Sequence, residues 1–267
     1  MDFEKVNDLS VMAINILEKR YLHEGETNWN DVANRTIDHV LQEEKNTNKK
    51  EKTRAMLKHR YFIPNSPCLV NSGKRNGGLI ACFVVDFPDT IEGIYKTKLD
   101  FALVAKKGGG CGTSLTKIRP ENSDVAGSTH GYAGGPIKFF DTICHDMEAM
   151  TQSGFREMAM IGVMSVYHPD IKKFITAKTT EGKMSNTNIS VSVDNNFMEK
   201  VERDETYWTR FKGIKHEELS AKEVFNMMVG GAWKNGEPGQ FFYNTVNDSP
   251  YKYSHQEIVA CNPCGIH

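Results

Sequence analysis

The chain has 267 residues, 39% hydrophobic and 25% charged, with a formal net charge of -1 and a pI near 6.8. This composition excludes a disordered chain and leaves room for one large globular domain or two small ones. A near-neutral balance gives no global attraction to nucleic acid or acidic membranes, so any anionic ligand must be small and held locally.

No apolar run approaches the roughly 18 residues of a membrane span, and the acidic, mixed start Met1-Asp2-Phe3-Glu4 is not a signal peptide, so the protein reads as cytoplasmic. The six cysteines, at 68, 82, 111, 144, 261 and 264, are scattered through a chain too large to need staples; reduced thiols with a few chemical roles fit better than a disulfide framework.

Residues 1–60 are polar and helix-rich. Ile14, Leu17 and Tyr21 share one helical face and Ala33, Ile37, Val40 and Leu41 another, with a turn around Gly25 and Asn28 between them. Lys45 to Lys52 reads as a solvated helix or loop. Over 61–267 the texture changes to short apolar runs, glycine clusters and alternating helices, as in an α/β domain with a largely parallel sheet. Asn65 to Val70 looks like a turn entering a strand, and Leu79 to Val85 like a buried strand. After Asp89, a candidate cap, Ile91, Ile94, Tyr95 and Leu99 keep helical spacing up to Lys106. Pro136 opens another helix with Phe139, Phe140, Ile143, Met147 and Met150 as its apolar stripe. Met158 to Val166 reads as a strand. His168-Pro169-Asp170 starts a short helix, and Ile189, Val191 and Val193 alternate as the next strand. Ser220 and Glu223 form a capping box before Val224, Phe225 and Met228; Gly236 to Gly239 then breaks to the strand Phe241-Phe242-Tyr243.

Two glycine runs have chemical readings beside plain ones. Gly108-Gly109-Gly110-Cys111-Gly112, next to Lys106 and Lys107, either offers backbone N–H groups to a phosphate or is a tight turn with no ligand. It has neither the Walker spacing nor the dinucleotide fingerprint. The run from Gly127 to Gly135 is a functional loop or a linker. Cys261 and Cys264 form a Cys-x-x-Cys, but no second ligand pair supports zinc and no helix follows to support a thioredoxin-like pair. Cys264 itself, in Asn262-Pro263-Cys264-Gly265, sits on a constrained turn as either a reactive or an incidental thiol. His168 reads as a helix-start residue and Cys144 as packing.

An ordered succession of motifs goes further. It comprises Phe62 to Pro67, Ala81 to Val85, Asp89 to Ile94, Lys107 to Gly112, Arg119-Pro120, Gly134-Gly135-Pro136, His168 to Ile171, Asn188 to Val191, Glu237-Pro238-Gly239 and Asn262 to Gly265. Spread over nearly all of residues 62–265, it resembles the catalytic subunit of ribonucleotide reductase, most closely the adenosylcobalamin-dependent class. Ile16 to Tyr21 is similar to that class, and no ATP-cone domain precedes it.

The resemblance implies the first half of a ten-stranded α/β barrel behind an N-terminal helical region, with the start of a finger loop at Cys264. It implies that Cys264 carries the thiyl radical, that Asn262 bonds the sugar hydroxyls, that Cys82 is one of two reducing thiols, and that Ser66 and Ala81 help hold the substrate. Asp89, Thr90, Arg119 and Arg156 would form an effector site for dNTP or ATP, on helices that dimerise. Adenosylcobalamin is the implied cofactor, or else a metal-bearing partner subunit supplies the radical; thioredoxin or glutaredoxin would be the reductant.

The sequence also departs from that pattern. Ile266 stands where the family usually has a catalytic glutamate, and Gly154-Phe155-Arg156-Glu157-Met158-Ala159-Met160 replaces a normally arginine- and glycine-rich second specificity loop. The second redox cysteine and the second half-barrel are absent. The expectation is the N-terminal part of a split reductase, active only with a complementary chain; the alternative is a non-catalytic nucleotide-binding remnant.

Overall fold

The computed structural model describes residues 8–125, 131–150, 158–179, 184–249 and 256–264. Two compact units divide between Ala81 and Cys82.

The first unit is helical, with α1 (Val11–Arg20), α2 (Trp29–Val40), α3 (Thr47–Lys58) and α4 (Ser66–Asn71). Leu17, Val32 and Leu69 form one small core, and Ala33, Ile37 and Leu57 another. Arg35 ties the unit together: it pairs with Glu26 at 2.6 Å and donates to the carbonyls of Tyr21, Leu69 and Ser72. Those bonds let a guanidinium sit at 13% side-chain exposure without orphaned donors. The stretch from Asn65 is not a turn entering a strand. Asn65 Oδ1 accepts from Cys68 N at 2.9 Å and Pro67 lies in the first turn, so the same residues start α4.

The second unit is built on one five-stranded parallel sheet in the order β1 (Cys82–Val84), β2 (Gly110–Ser114), β3 (Met160–Ser165), β4 (Thr187–Val193) and β7 (Gly239–Phe242). Each strand pairs with its predecessor in the sheet. Crossovers are made by α5 (Ile91–Lys106), α6 (Gly135–Met150), α7 (Ile171–Ile175) and, between β4 and β7, α8 (Asn195–Glu202) and α9 (Ala221–Asn235). This is the βαβ repetition expected of a parallel sheet. A two-stranded antiparallel hairpin, β5 (Thr206–Phe211) and β6 (Ile214–Ser220), lies between α8 and α9, and α10 (Tyr243–Asn247) follows β7. Among the described residues no helix is long and apolar enough to cross a membrane.

The two-residue period of the strands sorts side chains between the faces. Cys111, Met160, Met164, Ile189, Val191 and Val193 point to the helix-covered face and join Phe101, Phe140, Ile143 and Phe197 in the main core. The apolar run from Leu79 is not a buried strand through its length: only Cys82–Val84 pairs, at the sheet edge, and Ile80 and Val84 are exposed. The helix after Asp89 is capped by its neighbour, since Thr90 Oγ1 accepts from Gly93 N at 3.0 Å.

Candidate active site

The opposite face of the sheet carries the site. In β2, Gly110 and Gly112 point to this face, and residues 256–264 pass directly over them. A Cβ on Gly112 would lie 1.7 Å from the Cys261 carbonyl oxygen, and one on Gly110 would lie 3.2 Å from the Pro263 ring. Only glycine permits that backbone approach. The run Gly108 to Gly112 is therefore no phosphate-binding loop: its last three residues are a buried central strand thinned to admit another segment.

Several contacts hold that segment. Asn247 of α10 accepts from Ile258 N at 2.9 Å and donates to Ile258 O at 3.0 Å. Ala260 and Cys261 bury against Ile161, Val163 and Phe241. Asn188 of β4 donates from Nδ2 to Pro263 O at 3.3 Å.

Cys264 is thereby placed with its Sγ 3.9 Å from the Sγ of Cys82, the first residue of β1. Cys264 is exposed and Cys82 half-buried. Two residues earlier Asn262 is buried at 8% exposure, and its Oδ1 has no hydrogen-bond partner among the described residues. A buried acceptor left open is costly unless a ligand hydroxyl or N–H completes it. An open cavity of about 590 Å³ reaches Cys264 and Pro263 and is lined on its other sides by Asn188, Ser190, Gln240 and Phe241 among others. A pair of neighbouring thiols, one of them opening on a cavity, with an open amide acceptor two residues away in sequence, forms a place where a hydroxylated small molecule can meet sulfur chemistry.

The other thiols differ. Burial pushes Cys111 and Cys144 up to about 12, and raises Cys261 and Cys68 as well. Such groups are poor nucleophiles, and Cys144 also shares a hydrogen bond with Thr187. Cys261 lies in the apolar cluster while Cys264 faces out, so the Cys-x-x-Cys does not present two exposed thiols.

A second polar cluster lies at the start of α5. Arg119 Nε donates to both Asp89 oxygens at 2.9 and 3.1 Å, and Arg119 N donates to Oδ1 at 3.1 Å. Burial works to raise the Asp89 carboxyl, but the bonds from Arg119, helped by Lys212, override it and hold it below its ordinary value. Thr90 is the adjoining helix cap.

Of the remaining residues singled out in the sequence, Ser66 lies in the first turn of α4, its Oγ 2.9 Å from Tyr21 OH, and Ala81 is the last residue of the helical unit. Arg156, the rest of 151–157, Gly127 to His130 and residues 265–267 lie outside the described residues. The sequence reading missed Asn188 as a support for Pro263, the role of Gly110 and Gly112, and the hairpin that brings Lys212 to Asp89.

Comparison with known proteins assigns both units of the chain to one family. Residues 80–265 match the ribonucleotide reductase barrel domain, and residues 7–77 the ribonucleotide reductase all-alpha domain. A vitamin B12-dependent ribonucleoside-diphosphate reductase of Thermoplasma acidophilum is 38% identical over 208 residues, 76% of this chain and 27% of that protein. One from Mycobacterium tuberculosis is 31% identical over 271 residues, 96% of this chain and 39% of the relative. The class Id ribonucleotide reductase alpha subunit of Actinobacillus ureae shares the fold with a TM-score of 0.70 at 22% identity, covering 92% of this chain and 42% of that one. The chain thus spans well under half the length of each of these proteins, and within that span both of its units are matched: it belongs to the ribonucleotide reductase large-subunit family.

Proposed function

We propose that this chain is the N-terminal part of a split reductase that converts ribonucleotides to deoxyribonucleotides, and that turnover requires a second chain that completes the barrel. The observation that carries the reading is the Cys82–Cys264 pair, 3.9 Å apart beside the open acceptor of Asn262.

In this reading Cys264, as a thiyl radical, takes a hydrogen atom from C3′ of the ribose and later returns it. The 2′ hydroxyl leaves as water, taking up a proton. Cys82 and a second thiol from the other half-barrel supply the two electrons and end as a disulfide, so one dithiol is oxidised for each ribonucleotide reduced. Asn262 Oδ1 accepts from a sugar hydroxyl and fixes the ribose against Cys264. Ser66 and Ala81 are substrate-binding residues in the same reading, and a dithiol protein such as thioredoxin or glutaredoxin regenerates the thiols.

The names of the relatives favour adenosylcobalamin as the radical source over a metal-bearing partner subunit. The cavity beside Cys264, about 590 Å³ and open, has the size of a nucleoside site, far short of a corrin with its tail. That cavity by itself does not hold a corrin, and no step above runs through that cofactor.

Asp89, Thr90, Arg119 and Arg156 form the effector site for a dNTP or ATP in the same reading. Dimerisation through α5 is supported by Ile91, Tyr95, Leu99 and Leu103, one stripe at four-residue spacing, each 51–61% exposed. The test combines this chain with the complementary half-barrel, adenosylcobalamin and a dithiol, and measures deoxyribonucleotide formation. Turnover that Cys264→Ala abolishes supports the proposal. Turnover that survives Cys264→Ala, or no turnover with either radical source, sinks it; nucleotide binding without turnover would favour the regulatory-remnant reading.

A further inference from the structure

The β5–β6 hairpin is a device with no part in the sheet, and it is mounted rigidly. Tyr207 OH donates to Val166 O at 3.1 Å, Arg210 N donates to Tyr167 O at 2.7 Å, and the Arg210 guanidinium lies 4.6 Å from the Tyr167 ring centroid. The Phe211 ring meets His168 edge-on at 5.9 Å, and Glu217 pairs with Lys172 at 2.6 Å. All these partners lie in 166–172, immediately after β3. The turn itself is two residues long: Lys212 at φ 47° and Gly213 at φ 81°, closed by the pair Phe211 and Ile214. Both central residues in the left-handed region make it the tight turn that fits strand twist, so the tip has little freedom to wander.

That tip carries Lys212 to Asp89, with Nζ 3.4 Å from Oδ2. Asp89 then faces two cations of different character. Arg119 grips it through several bonds and is one-third exposed; Lys212 makes one long contact and its side chain is 68% exposed. One carboxylate thus faces two cations beside the α5 N-terminus, where Glu92 is the acidic residue of the first turn. An exposed single ion pair is worth little, so Lys212 is readily exchanged to a stronger anion, whereas Arg119 is not.

We infer that Lys212 is a phosphate-binding residue of the nucleotide site around Asp89. On binding, its ammonium moves from Asp89 Oδ2 to the polyphosphate, while Arg119 keeps its hold on both Asp89 oxygens. The inference rests on the effector-site reading above and adds to it a residue from a different element, so that the hairpin forms a wall of the site.

Equilibrium binding of ATP and dTTP, and of adenosine and thymidine as controls, is measured calorimetrically at two salt concentrations. Lys212→Gln should weaken triphosphate binding roughly tenfold, as loss of one charge-assisted contact does, and flatten its salt dependence while leaving nucleoside binding unchanged. Lys212→Arg should restore it. Unchanged or tighter triphosphate binding by Lys212→Gln, with Asp89→Asn still weakening it, overturns the role of Lys212 and leaves the effector reading standing. No triphosphate binding by the unsubstituted chain overturns both.

Discussion

On its helix-covered face the sheet presents Met160, Met164, Ile189, Val191 and Val193; on the other it presents Cys82, Gly110, Gly112, Asn188 and Ser190 beside a smaller apolar group of Ile161, Val163 and Phe241. The first face is filled by bulky side chains, and even its glycine serves packing: a Cβ on Gly162 would lie 2.7 Å from the Phe140 ring, so the ring seats in that notch. The second face is hollowed so that a backbone segment can lie against the strands and deliver a thiol. The same strands, through their two-residue period, thus put the larger core on one face and the chemistry, with a smaller apolar cluster, on the other.

The sharpest way to break this division is to damage each face alone. Phe140→Ala empties a fully buried site and should cost about 3–5 kcal/mol, seen as a large drop in the denaturation midpoint of the whole second unit. A small, local effect would show that the helix-covered face is not the one that stabilises the sheet. Gly112→Ala adds a single methyl where Cys261 O lies, and should cost about 1–3 kcal/mol as residues 256–264 are pushed off the sheet. Far-UV circular dichroism should remain native, while a short bifunctional thiol reagent that bridges Cys82 and Cys264 in the parent chain should no longer do so. If bridging persists, the close approach over β2 does not position Cys264.

The mildest probe leaves the fold untouched. Alkylation near pH 8 should modify Cys264 first, while Cys111 and Cys144, pushed up to about 12 by burial, stay protonated and unreacted until the protein unfolds. Peptide mapping over time checks the order, and early modification of Cys111 would contradict the contrast between faces.

Much of this architecture is legible in the residues. Ile189, Val191 and Val193 announce a strand with one apolar face, and the stripe of Phe140, Ile143 and Met147 a helix above it, because periodicity reports burial directly. The order of motifs carried the half-barrel. What escaped is what depends on partners distant in sequence. Nothing local in Gly110 and Gly112 tells a loop that cradles a ligand from a strand that admits a backbone about 150 residues later. Asn65-Ser66-Pro67 was ambiguous between a turn and a capped helix start, and the cap bond to Cys68 N decided it. The hairpin did leave a signal, since Tyr207, Thr209 and Phe211 alternate ahead of Lys212-Gly213, but exposure along β6 hides its second strand.

The close passage of residues 256–264 over β2 also orders events during folding. The groove that receives them is built from β2, β3, β4 and β7, so it is complete only when those strands have paired. Its contacts fall on the native side of the folding barrier, and substitutions within it should hasten unfolding while leaving the folding rate nearly unchanged. The thiol is thus set in place last, on a scaffold already complete beneath it.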